Sequence, residues 1–296
     1  MRVALYTSWD NAWIPYIRDE FDKLGADFVL AKGWNGVSKH DLVIHGWANG
    51  MTQPVPGAKN VMFLRRYELF DGFVSKVDWK GVDLLICVNM WISDRVREIF
   101  ARRGITVPVT VIYNGTDLER WQFKERKHGK MIGMACHVHP KKNLPLALQI
   151  LGALPEDYEL HIAGDVQDHC TAEYLNHVGN VLRRKVYLYG HIPRAHLDLW
   201  WEGMNYCLST SISEGNPNNV IEAMAKGIKP VIHDWPGADE QFPSYLRFGG
   251  VDGALRAISG PYESKHYRDL VKARFGLDNY SKLADVCTKL LEKEAA

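Results

Sequence analysis

Residues 206–233 read YCLSTSISEGNPNNVIEAMAKGIKPVIH. The two ends, 206–209 and 229–233, are short apolar runs of strand length. Between them, 218–226 carries helix formers, with Asn216 placed to cap the helix, Pro217 at its first position and Gly227 just past its last. A strand, a helix and a strand joined by short turns predict a parallel β–α–β unit, because parallel strands need a crossover of roughly a dozen residues or more.

The same alternation extends outward. Strands are expected at 3–6, 28–31, 42–45, 61–64, 84–88 and 109–112, with helices at 12–24 and 93–103, the second opened by Ser93 and closed by Gly104. The polar run 124–130 breaks the pattern and is the expected linker. Beyond it, strands are expected at 131–136, 158–163 and 186–189, with helices at 144–154 and 194–202. A length of 296 residues suits two domains. The expected architecture is therefore α/β, with two Rossmann-like domains, 1–124 and 125–275, facing across a cleft. Open parallel sheets bind ligands beyond the carboxyl ends of their strands, so chemistry is expected in that cleft.

Composition excludes several classes. With 46% hydrophobic and 24% charged residues the chain is neither disordered nor of low complexity. A formal charge of +1 gives no global field for nucleic acid or acidic membrane, although local basic patches are compatible with it. No apolar run approaches the roughly 20 residues of a membrane helix, and the opening MRVALYTSW reads as a first strand rather than a targeting segment. Cys87, Cys136, Cys170, Cys207 and Cys287 are odd in number and contain no CxxC pair, which suits reduced thiols in a cytoplasmic protein.

In the opening stretch, Glu214 precedes the helix and Glu222 lies inside it. A helix amino terminus presents unpaired amides and partial positive charge to an anion such as phosphate, and Gly215 admits a ligand close to the backbone. The two acids are suited to accept hydrogen bonds from sugar hydroxyls on either side of a diphosphate, or simply to complement the helix dipole.

With its neighbours, EGNPNNVIEAMAKGIKPVIHDWPGADE (214–240) resembles the signature of retaining glycosyltransferases of the two-Rossmann type, glycogen-synthase-like and sucrose-synthase-like. VIYNGTDLERW (111–121), IGMACHVHPKKNLPLALQIL (132–151), LHIAGD (160–165) and RFGLDNYSKLADVCTKLL (274–291) are similar to further motifs of that family, in its order. The resemblance implies a sugar transfer from a nucleoside-diphosphate sugar to an acceptor hydroxyl, with no metal and no cofactor beyond the donor itself. It implies that Glu222 holds the ribose hydroxyls, that Glu214 touches the donor sugar near its reacting carbon and that Lys142 neutralises the diphosphate. The amides of Asn218 and Asn219 assist at the helix start, and Glu240 matches a later acid. His137 stands where the family carries arginine, and a neutral imidazole is a weaker partner for phosphate. Residues 276–296 match the family's terminal helix, which packs back towards the first domain.

The first domain carries little of the family pattern. Trp9, Asp10, Trp13, His45, Trp47, Arg65 and Glu68 follow strand ends and are the acceptor-side candidates, His45 also as a catalytic group. Indoles suit stacking on a sugar face or a base, and each alone equally suits a core; His45 equally suits a satisfied buried histidine. The acceptor fits a glycan, a lipid-linked sugar, a small molecule or a modified DNA base. A sugar-nucleotide epimerase, a phosphorylase and a non-catalytic nucleotide-binding module are the alternatives on the same fold.

Overall fold

A computed structural model describes residues 1–7, 11–32, 39–49 and 53–292. The chain forms two compact units, Met1–Gly115 with Phe275–Ala296, and Thr116–Arg274.

The first unit runs β1 (Arg2–Tyr6), α1 (Ile14–Lys23), β2 (Asp27–Ala31), β3 (Leu42–His45), β4 (Lys59–Leu64), α2 (Tyr67–Phe70), β5 (Leu84–Cys87), α3 (Met90–Arg103) and β6 (Val109–Val111). The second runs β7 (Met131–Ala135), α4 (Leu144–Ala153), β8 (Glu159–Ala163), α5 (His169–Val181), β9 (Lys185–Leu188), α6 (Arg194–Glu202), β10 (Tyr206–Ser209), α7 (Asn218–Ala225), β11 (Lys229–His233), α8 (Ala238–Gln241), β12 (Arg247–Phe248), α9 (Val251–Ser259) and α10 (Ser264–Arg274). Then α11 (Asp278–Glu292) returns to the first unit. Each unit holds one six-stranded parallel sheet, ordered β2-β1-β3-β4-β5-β6 and β12-β11-β10-β7-β8-β9.

Strands covered on both faces explain the unbroken apolar runs. Along β4, Val61 and Phe63 pack towards α1 and α11 while Met62 and Leu64 pack towards α3, the alternation a pleated strand imposes. The terminal helix is tied into its unit by Tyr280, stacked on Tyr16 at 6.0 Å between ring centres, and by Leu283 and Cys287 in the core. In the second unit, α4, α5 and α9 close over Ile132, Leu160 and Leu208.

Three details differ from the sequence reading. Asn89, not Ser93, caps α3 by accepting from the Ile92 amide at 2.7 Å, and Ser93 is buried inside the helix. Residues 116–124, expected with the first domain, lie in the second unit, where the Arg268 guanidinium donates to Leu118 O and Trp121 O. The polar run 124–130 is clasped rather than free, with Arg126 donating to Lys226 O and Glu202 O. Helix α5 went unread because only Leu175 and Gly179 of its thirteen residues are buried, too few to print a 3.6-residue period. Among the described residues no helix is long and apolar enough to cross a membrane.

Candidate active site

The site grows from the carboxyl end of β10. Its connecting loop is pinned to the turn before α4, with Thr210 Oγ1 donating to Lys142 O at 2.7 Å and the Ile212 amide donating to Lys141 O. This brings Lys142 and Glu214, 72 residues apart, into a direct ion pair between Nζ and Oε1. Ser211 Oγ donates to the same carboxylate oxygen at 2.7 Å.

The loop then enters α7. Pro217 itself occupies the cap position and no side chain caps the first turn, contrary to the expectation for Asn216. Asn216 instead donates through Nδ2 to Gln241 Oε1 at 2.8 Å, and Gln241 Nε2 donates to Gly215 O at 2.9 Å. The buried amide of Gln241 thus holds Gly215 and Asn216 in place. At the other end Gly227 adopts φ +80°, as a helix terminator should.

Lys142, Glu214, Asn216, Asn218 and Asn219 line one cavity of about 300 Å³. Its opposite wall is Cys136, His137 and Gly164, and Ile192 and Leu197 add an apolar side. Gly164 has φ +153°, and a Cβ there would stand 2.2 Å from Cys136 O, so only glycine fits. His137 lies 3.5 Å from an oxygen of Asp165, which His191 approaches at the same distance. Burial holds the His137 imidazole below its usual range, and nearby Lys142 and Lys141 add to this against the opposing pull of Asp165.

Glu222 lies one turn beyond Asn218, is 4% exposed and pairs with Arg194 Nη1 at 2.8 Å. Burial raises its carboxyl pKa and Arg194 pulls it back. Glu240 sits on α8, outside the residues that line the cavity.

The first-unit candidates form a different kind of group. Trp9 and Asp10 lie outside the described residues. His45 is fully buried, with Nε2 3.0 Å from Asn60 Oδ1, and burial lowers its pKa to about 4. Asn60 in turn bonds Val55 and Ala58, so the imidazole helps brace the 55–60 turn. The Arg65 guanidinium lies 4.2 Å from the Trp13 ring and 5.1 Å from Trp47, and donates to Gly46 O and Asn114 Oδ1. Glu68 folds back onto the amides of Arg65 and Arg66. Trp13 is buried, and among the described members of this set only Trp47 stays partly exposed. Sequence reasoning missed Arg194, Gln241 and Ser211; the first two sit 28 and 26 residues from their partners, and nothing in the spacing joins them.

The family model described as glycosyl transferases group 1 matches residues 129–257. Among solved structures, the Anabaena protein Alr3699/HepE in complex with UDP-glucose aligns at a TM-score of 0.74 and 13% identity, covering 98% of this chain and 100% of that one. Sucrose-phosphate synthase from Thermosynechococcus elongatus aligns at 0.75 and 11% identity, covering 99% and 100%. The lipopolysaccharide outer core galactosyltransferase WaaB aligns at 0.69 and 17% identity, covering 97% and 99%. No curated protein matches the chain in sequence. The match to the glycosyl transferases group 1 model lies within the second unit, in a chain whose two six-stranded parallel units have the GT-B fold.

Proposed function

We propose that this chain transfers a sugar, with retention of anomeric configuration, from a nucleoside-diphosphate sugar to an acceptor hydroxyl. The observation that carries the reading is the convergence of Lys142, Glu214 and the amino end of α7 on one cavity. The diphosphate lies against the first turn of α7, where amides and helix dipole favour an anion. Lys142 exchanges its carboxylate partner for phosphate oxygens, one charge-assisted bond for another. Glu214, so released, accepts hydroxyls of the donor sugar near the reacting carbon, and Glu222 accepts those of the ribose.

The bond from the anomeric carbon to the phosphate oxygen breaks as the acceptor oxygen bonds to the same face. The acceptor's proton passes to the departing phosphate, leaving a glycoside and a nucleoside diphosphate. The protein aligns the reactants and stabilises charge at the leaving group; no step calls on a metal or a further cofactor. That HepE was crystallised with UDP and with UDP-glucose supports uracil among the candidate bases. The acceptor is assigned to the first unit, where the partly exposed Trp47 offers a flat apolar face to a glycan or small molecule, or to a base in DNA. Five free thiols accord with a reducing, cytoplasmic setting, which belongs to the same proposal.

Thermal shift with UDP, GDP and ADP sugars identifies the donor, because a ligand of the native state alone raises the melting temperature. With that donor, Glu214→Ala is expected to lose transfer by about 100- to 1000-fold while nucleotide-induced stabilisation persists. Transfer at the wild-type rate defeats the assignment.

A further inference from the structure

We infer that Arg194 is a positioning residue for the donor, holding the Glu222 carboxylate aimed at the ribose and setting the gap between α6 and α7 beside the cavity. The inference rests on the donor role proposed for Glu222 and extends it to a residue outside the E-x7-E pattern.

Placement comes first. Arg194 opens α6; Ile192 just before it and Leu197 one turn on both line the cavity. Glu222 stands one turn beyond Asn218, which lines the same cavity. Residues one turn apart share a helix face, so the 2.8 Å pair bridges the two helices directly behind the cavity lining. It engages Oε1 of Glu222 and leaves Oε2 to a ligand hydroxyl.

Arg194 is itself held. Its guanidinium lies 5.5 Å from the centre of the buried Trp121 ring, with Arg120 5.4 Å from the same ring. Arg120 Nη2 also donates to Arg194 O at 2.8 Å. A planar guanidinium against an indole keeps its fork oriented, which an ammonium does less well.

Electrostatics give the pair its purpose. Glu222 is faced by Arg194 from α6, by Arg120 ahead of Trp121 and by the Cys207 thiol on β10. Burial drives its carboxyl towards protonation, and only the two arginines oppose this. A protonated carboxyl is a poorer acceptor for two ribose hydroxyls. Fastening the helices together is already the work of Lys226, at the far end of α7, which pairs with Asp198 and Glu202 of α6. The arginine pair at the cavity end is therefore free to serve the ligand.

The test is calorimetric binding of UDP, GDP or ADP, whichever the native protein binds, and of its 2′,3′-dideoxy form, from pH 6 to 9. Arg194→Met is expected to bind the ribonucleotide roughly 10- to 100-fold more weakly at pH 7, the loss of a charge-assisted bond. The loss should shrink as rising pH ionises Glu222, should largely vanish for the dideoxy nucleotide, and should be mostly recovered in Arg194→Lys; Arg194→Gln takes the place of the methionine variant if that does not fold. An equal, pH-independent loss for both nucleotides, or no loss, overturns the inference while the donor reading stands. Failure of the native protein to bind any of the three overturns the donor reading itself.

Discussion

The corner of the first unit after β3 and β4 and the end of β10 in the second hold much the same inventory: a glutamate, a cation, a histidine and an aromatic neighbour. They differ in where their hydrogen-bonding capacity goes. Around β4, Glu68 accepts two backbone amides, Arg65 donates to a carbonyl and an asparagine between aromatic rings, and His45 meets Asn60 in the core. Those groups are turned on their own chain. At β10 the Lys142–Glu214 pair stands at a cavity wall and the Arg194–Glu222 pair behind the cavity lining, each acid held by a cationic side chain from another element. The first group is locked among rings and core partners; the second meets charge with charge beside a cavity.

The contrast breaks most sharply at Lys142. Lys142→Met is expected to cut transfer by about 100- to 1000-fold while the melting temperature moves by only a few degrees, since the pair is partly solvated; equal loss of both would erase the distinction between the regions.

Arg65→Ala should show the mirror image: about 3 kcal/mol of stability lost in urea titration, because the change opens a buried site between three rings and removes the bond to Asn114 Oδ1.

The pH dependence of unfolding sharpens the comparison next. A histidine held neutral at about 4 in the folded state, against about 6.5 unfolded, contributes stability above pH 6.5 that is lost as pH falls towards 4. The loss should reach roughly 3 kcal/mol at full protonation, and His45→Gln should flatten that part of the curve.

The smallest effect is expected at Gln241. Gln241→Leu removes the clasp on Gly215 and Asn216, and the donor KM should rise about tenfold with little change in kcat, a loss near 1–1.5 kcal/mol.

How much of this was legible beforehand follows the range of the interactions. The β10–α7–β11 unit and α6 were readable because their apolar runs, proline and glycine act within a few residues. The fold followed from repeating that unit. Glu214 was singled out by its place ahead of the helix, Lys142 only through resemblance, and Arg194 and Gln241 not at all, since each meets its partner through the fold. Orientation was the hardest reading. Nothing local shows that Trp13 turns inward while Trp47 keeps an exposed edge, or that His45 faces Asn60.

Gly164 carries one more consequence. Because the carbonyl of Cys136 occupies the space its side chain would need, this part of the cavity floor is bare peptide, and the depth of the chamber is set by an atom that is missing. Any larger residue there would force the Cys136–His137 backbone to shift. The same substitution would narrow the chamber and disturb the ends of β7 and β8 together, so a loosely tolerated variant at this one position should not exist.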